Sequence, residues 1–212
     1  GIRGGTLTWL DAASGEPCFY QEFHGHGPNA QRQERAHIHS AQPAPEGARL
    51  LVADLGTDRL YQFAQEEGER CALRKGSPGW RRGPGRAPAL CLPPSGKWIY
   101  LVTELDSSLL VLRREGDRLE KAGEYPLRQA SDPAETWAAD IHLSPDGRFL
   151  YASVRGPGCL CGFQVAGGGR SLLPLGRFPT GGSCPRSFAS ARTGAMWPPP
   201  TRSRGTWCCS PG

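Results

Sequence analysis

With 212 residues and a formal net charge of +5, the chain is long enough for one large core or two small ones. The charge invites a nucleic-acid reading that its distribution excludes: from Arg148 to the end there are eight arginines and no acid, without the interleaved aromatics and clustered lysines of a strand-binding groove. No apolar run is long enough to span a bilayer and no export-signal pattern opens the chain, so neither membrane nor nucleic acid is expected as a partner. The expected location is cytoplasmic, with the eight cysteines as reduced thiols.

Glycine (29) and proline (20) favour many short strands joined by tight turns, and no stretch reads as a helix. In chain order, Thr6 to Leu10 and Cys18 to Tyr20 read as outer strands of a sheet already under way. From Pro45 an outline then recurs: a Pro-x-Gly turn, an apolar strand, a polar loop and a second apolar strand. Its first copy runs through Leu50 to Ala53, the loop Asp54 to Asp58, and Leu60 to Phe63. The second has Trp98 to Val102, Thr103 to Ser108, and Leu109 to Leu112. In the third, Phe149 to Ala152 precede Val154-Arg155-Gly156 and a strand near Cys159 to Val165. Arg113 to Asp117 reads as a charged hairpin at the solvated rim.

The turn glycines Gly47, Gly96 and Gly147 are 49 and 51 residues apart. That period suits one four-stranded propeller blade per repeat, because a lone blade cannot bury both of its faces. The expected class is therefore all-β, a β-propeller of which this chain covers about four blades of four-stranded antiparallel sheet. A fourth turn is due near Gly194, but the sequence there loses all alternation, and Pro198-Pro199-Pro200 cannot sit in a central strand. Back-translation from the third base of the Ala189 codon, with GC-rich codons, gives LSPDGRHVAAANQEPGDVVLL, which restores the pattern. Residues 1–188 are thus expected to be a partial propeller and 189–212 a frameshifted or disordered tail in which Trp197, Trp207, Cys208 and Cys209 have no function. Gly1, in place of a methionine, adds the expectation of a missing N-terminus.

Polar residues expected at the channel mouth of such a propeller stand at the starts of inner strands and in loops after second strands. His37 and His39 lie two apart and are expected on one strand face, as are Asp140 and His142. With Arg32, Glu104 and Arg155 they form a set able to bind an anion and move a proton. Each also has a structural reading, as a hydrogen-bonded or ion-paired group. Asp54 and Asp58 are expected to form turns. Neither Cys159 with Cys161 nor the later Cys pair has recognised zinc spacing, so no metal is expected.

The run from Trp137 through Asp140-Ile141-His142-Leu143-Ser144-Pro145-Asp146-Gly147 to Ser153 resembles the signature block of the bacterial-type 6-phosphogluconolactonase (lactonase) family. Gly27-Pro28-Asn29 with Arg32-Gln33, His37 to Ser40, Val52 to Asp58, and Glu104 to Ser108 agree with it. The resemblance covers about residues 5–188, close to four of the family's seven blades. It implies hydrolysis of 6-phospho-D-glucono-1,5-lactone to 6-phosphogluconate in the oxidative pentose phosphate pathway, with no cofactor and a phosphorylated sugar lactone as partner. On that basis His142 or His39 is the expected base, with Glu104 orienting water; Arg155, Arg32, His37, Asp140 and Arg186 are expected to bind substrate. Thr103 and Val154, where the family usually has asparagine, and Ala87-Pro88-Ala89, where it often has Pro-Arg-His, are departures. They fit the alternatives of an inactive propeller binding a sugar phosphate or protein, or a carboxymuconate cyclase-like enzyme. A chain short of about three blades is itself expected to be inactive.

Overall fold

The computed structural model describes residues 4–47, 49–65, 73–75, 89–190 and 196–197. The expected turn at Gly194, the departures Ala87 and Pro88, and most of the proposed tail lie outside these. Among the described residues the only helical element is one 3-10 turn, Gly167–Gly169. All else that is regular is strand.

A hairpin opens the chain, β1 (Thr6–Leu10) antiparallel to β2 (Pro17–Glu22). Three four-stranded antiparallel sheets follow, each running in chain order across its width. The first holds β3 (Ile38–Pro43), β4 (Arg49–Asp54), β5 (Arg59–Gln65) and β6 (Leu73–Lys75); the second β7 (Ala89–Cys91), β8 (Trp98–Thr103), β9 (Ser108–Glu115) and β10 (Arg118–Pro126); the third β11 (Trp137–Leu143), β12 (Phe149–Arg155), β13 (Cys159–Ala166) and β14 (Ser171–Pro179). A last pair is β15 (Ala189–Ser190) with β16 (Met196–Trp197).

The sequence repeat is a backbone repeat. Gly47, Gly96 and Gly147 all take positive φ, of 75°, 62° and 69°, which a turn of this kind demands and glycine supplies without strain. Four residues separate the paired ends of the second and third strands in every sheet, Asp54↔Arg59, Thr103↔Ser108 and Val154↔Cys159. The last of the four has positive φ each time, at Asp58, Ser107 and Gly158. Middle strands, covered on both faces, are near-continuous apolar runs: Trp98–Thr103 is buried throughout. Outer strands alternate, as β10 does.

The chain divides into two compact units, residues 1–88 with 114–120, and residues 89–113 with 121–212. In the first, Leu7, Phe23, Leu50, Val52, Tyr61 and Phe63 form the core, with Phe23 packed 4.7 Å from the ring of Tyr61. The hairpin tip at Gly116 belongs to this unit. It is not the free rim expected: Arg114, with its side chain only 11% exposed, pairs with Glu46 at 2.5 Å, Asp117 pairs with Arg49, and the Asp117 carbonyl accepts from Gln62 Nε2 at 2.7 Å. In the second unit Trp98, Tyr100, Val102, Val111, Leu150, Val154 and Phe163 lie in one apolar cluster. Tyr100 donates its hydroxyl to the Gly169 carbonyl at 3.0 Å.

One sulfur departs from expectation. Cys18 is disulfide-bonded, whereas Cys91, Cys159, Cys161 and Cys184 are free thiols.

Candidate functional site

The inner strands of the first and third sheets each carry a β-bulge at the same place. In β3 it falls between Ile38, opposite Asp54, and Ser40, opposite Ala53. In β11 it falls between Ala138, opposite Val154, and Ile141, opposite Ala152, so Ala139 and Asp140 together face Ser153. An extra residue kinks a strand and re-aims its side chains. In β11 the bulge is held by Ser153, whose Oγ accepts from the Asp140 amide at 3.0 Å.

In the first unit the bulge separates two histidines that simple alternation would put on one face. His37 precedes β3 and is largely covered; its amide donates to Asp54 Oδ1 at 2.8 Å, and its Nε2 lies 3.3 Å from Glu34 Oε1, close but off the line of a hydrogen bond. His39, the bulged residue, is exposed. Arg32 is half-buried in the turn begun by Asn29. Asp54 and Asp58 are turn residues, as expected: Asp54 accepts from the amides of Gly56 and Thr57 and from Thr57 Oγ1. Asp58 accepts from Gln33 Nε2 at 2.6 Å, and that nitrogen also donates to the Leu55 carbonyl. Gln33 is wholly buried and serves as the anchor of the Gly27 to Gln33 segment. Its Oε1 accepts locally from the Asn29 amide at 3.1 Å, but the two acceptors of its Nε2 lie more than twenty residues away.

The second unit holds two clusters. At the start of β11, Arg155 and Glu104 form a buried ion pair, Nη2 to Oε1 at 2.8 Å, with side chains 9% and 2% exposed. The guanidinium also reaches the Ala138 carbonyl at 3.4 Å and lies over the Trp137 ring. Its Nε is buried with no acceptor among the described residues. Ser107 fixes this corner, donating to the Thr136 carbonyl and accepting from the Ala138 amide, both at 3.0 Å.

The second cluster is built on Asp140. One oxygen, Oδ2, accepts from His142 Nε2 at 3.1 Å, Ser187 Oγ at 2.9 Å and the Phe188 amide at 3.1 Å. Burial opposes ionisation of Asp140, but these donors and the His142 charge outweigh it and hold the carboxyl below its ordinary range. The His142 ring meets Phe188 edge to face at 4.8 Å and stays partly exposed. Aspartate therefore orients histidine, as in a base dyad; the serine bonds the aspartate and not the histidine, so no nucleophilic triad is formed. Arg186 is half-buried on the same segment as Ser187.

The expected residues are thus not one constellation. Asp140 and His142 are together, Glu104 and Arg155 are together, and five residues of β11, roughly 15 Å at ~3.3 Å per residue, separate Trp137 beside Arg155 from His142. His142 stands toward the far end of its strand and not at its start. Among the described residues no group of three or more His, Cys, Asp or Glu side chains could hold a metal ion, and no helix is long and apolar enough to cross a membrane.

Comparison with known proteins gives this arrangement its context. The family described as "Lactonase, 7-bladed beta-propeller" matches residues 10–197. The chain belongs to this lactonase family. Its all-β sheets are blades of a β-propeller. A 6-phosphogluconolactonase of Formosa agariphila is 31% identical over 172 residues, 79% of this chain and 48% of that protein. One from Bacillus subtilis is 31% identical over 171 residues, 77% and 46%. The solved periplasmic gluconolactonase of Pseudomonas aeruginosa superposes with a TM-score of 0.77 at 28% identity, over 89% of this chain and 54% of that one. The chain spans about half the length of the curated relatives it matches.

Proposed function

We propose that the protein carrying this chain hydrolyses a phosphorylated aldonolactone, 6-phospho-D-glucono-1,5-lactone, to 6-phosphogluconate. The observation that carries the reading is the buried Arg155 guanidinium with an uncommitted Nε, at one end of a strand whose other end presents an oriented histidine. Of the two clusters, the Arg155 corner has the chemistry to take an anion and the Asp140–His142 pair the chemistry to move a proton. A guanidinium fork matches phosphate. Glu104 has Arg155 as its partner and 2% exposure, so its part in this scheme is to hold the arginine and not to touch water.

His142, neutral, takes the proton of the attacking water while Asp140 stabilises the imidazolium that forms. The hydroxide adds to the lactone carbonyl, an arginine steadies the tetrahedral oxyanion, and the ring oxygen leaves with the proton returned by His142. Atoms balance without a redox cofactor. His39, Arg32 and His37 are candidate substrate-contacting residues of the first unit taken by itself, and Arg186 is a second cation beside the Asp140 cluster of the second.

The test is steady-state hydrolysis by the complete protein. His142→Ala is expected to lower kcat by about 10²-fold or more with little change in KM, in line with the loss of a general base. Arg155→Gln is expected to raise KM for the phosphorylated lactone only. Wild-type turnover in both His142→Ala and Glu104→Ala would overturn the scheme.

The Cys18 disulfide favours a second reading. Disulfides persist in oxidising compartments, and the periplasmic relative is a gluconolactonase. An exported enzyme acting on unphosphorylated gluconolactone accounts for both, whereas the pentose phosphate reading places the protein in the cytoplasm. Cell fractionation with thiol labelling separates them: a cytoplasmic protein with Cys18 reduced supports the phosphorylated substrate, an exported oxidised one the other.

A further inference from the structure

The second unit holds a thiol cluster that the proposed reaction does not use. Cys159 opens β13 immediately after Arg155-Gly156-Pro157-Gly158, and Cys161 follows two residues later on the same strand face. Arg177, on β14 opposite Cys161, donates its Nε to Cys159 Sγ at 3.2 Å. The rest of the guanidinium is fixed: Nη1 donates to Gln129 Oε1 at 2.9 Å and Asp132 Oδ1 at 2.8 Å, and Nη2 to Asp132 Oδ2 at 2.9 Å. With two corners pinned to one loop by three hydrogen bonds, the guanidinium aims its Nε–H at sulfur. The Cys161 thiol lies 3.8 Å from the Leu127 carbonyl.

We propose that Cys159 is a site of modification by hydroperoxides, with Arg177 as the group that activates its sulfur. The thiolate attacks one peroxide oxygen; an S–O bond forms as the O–O bond breaks, sulfur loses two electrons, and the other oxygen leaves as water or alcohol after taking a proton from solvent. The product is a sulfenic acid beside Arg177. Alternate residues of an extended strand have Cα atoms ~6.6 Å apart, within the span a disulfide bridges, so the sulfenic acid either persists or condenses with Cys161 to a disulfide with loss of water.

The charges around the sulfur support this. The neighbouring Cys161 side chain and the Arg177 guanidinium hold Cys159 below the ordinary thiol value against burial and the opposing charge of Asp132. Cys161 is shifted upward by its neighbour Cys159 and by burial, so of the two thiols Cys159 is the more readily ionised. Cys159 is 5% exposed, so the oxidant considered is the small hydrogen peroxide. Cys91 is the internal reference: it is less buried than Cys159, yet burial pushes its thiol up to about 11. Access and activation therefore point to different cysteines.

The experiment treats the purified 212-residue chain with hydrogen peroxide, quenches the oxidant, unfolds the chain in denaturant containing dimedone, and maps the dimedone adducts and any Cys159–Cys161 disulfide by mass spectrometry. At pH 7 the Cys159 peptide, adduct and disulfide counted together, is expected to be labelled about tenfold faster than the Cys91 peptide or more, as thiolate content dictates. Arg177→Gln should cut that rate severalfold without altering Cys91. Because that change also frees the loop at Asp132, a second variant is included: Asp132→Asn leaves Arg177 charged and less neutralised, and labelling of Cys159 should stay as fast or rise. Labelling of Cys159 no faster than Cys91, no effect of Arg177→Gln, or slower labelling in Asp132→Asn would each overturn the proposal. None of these readouts depends on lactone hydrolysis.

Discussion

A buried polar side chain is defined by what its removal leaves behind. Gln33 supplies one nitrogen to both the Leu55 carbonyl and Asp58, so Gln33→Leu keeps the volume and strands two acceptors in the interior. The expected loss is about 2–4 kcal/mol, read as a lower midpoint in urea unfolding with an unchanged slope. Ser107→Ala, which frees the Thr136 carbonyl and the Ala138 amide, should cost about 2 kcal/mol on the same argument. At this scale the sequence was legible where a residue acts on its neighbours. Asp54 reads as a turn residue because its partners are two and three positions away. The interior contacts of Gln33 Nε2 and of Arg177 were silent because those partners come from distant strands and loops.

Strands and turns were legible from spacing. The glycines at positive φ and the apolar runs after them specify three sheets whose middle strands fall where alternation stops and continuous burial begins. The bulges were not legible. An i,i+2 rule puts His37 with His39 and Asp140 with His142; the inserted residue defeats it for the first pair, and the second pair meets only because both residues lie at or beyond the bulge. Deleting Ala139 should restore plain alternation through β11, leaving Ala138 opposite Val154 and Ile141 opposite Ala152 while removing the kink that re-aims Asp140. The complete protein is then expected to lose hydrolysis, while Ala139→Ser leaves turnover within about twofold, since a surface-type substitution away from named contacts has little effect. Parallel thermal melts distinguish a straightened strand from an unfolded one.

For the whole molecule, acid is the informative variable. Glu46, Asp132 and Asp140 all titrate below their ordinary values: Glu46 through its own backbone amide and Arg114 against burial, Asp132 through Arg177, Asp140 through His142 and the Phe188 amide against burial. A carboxyl depressed by folding adds stability above its unfolded value, near 4, and that stability is lost as pH falls through the lower folded value. Urea midpoints should therefore hold from pH 7 to about 5 and fall between about pH 4 and 2. Asp132→Asn should lower stability at pH 6 and shrink the difference between pH 6 and 3. A net positive chain gains further charge on the same descent, so self-repulsion acts in the same direction.

The recurring bulge also bears on how such a protein could change. Each bulged strand carries one residue more than its partner needs, at the same height in two blades. That surplus position is occupied by histidine in one blade and by alanine and aspartate in the other, without disturbing the ladder on either side. New chemistry at the inner surface can therefore be tried by swapping a single surplus residue, at little risk to the core. Losing that residue altogether is a different event, an indel rather than a substitution, and would convert a tunable position into an inert blade in one step.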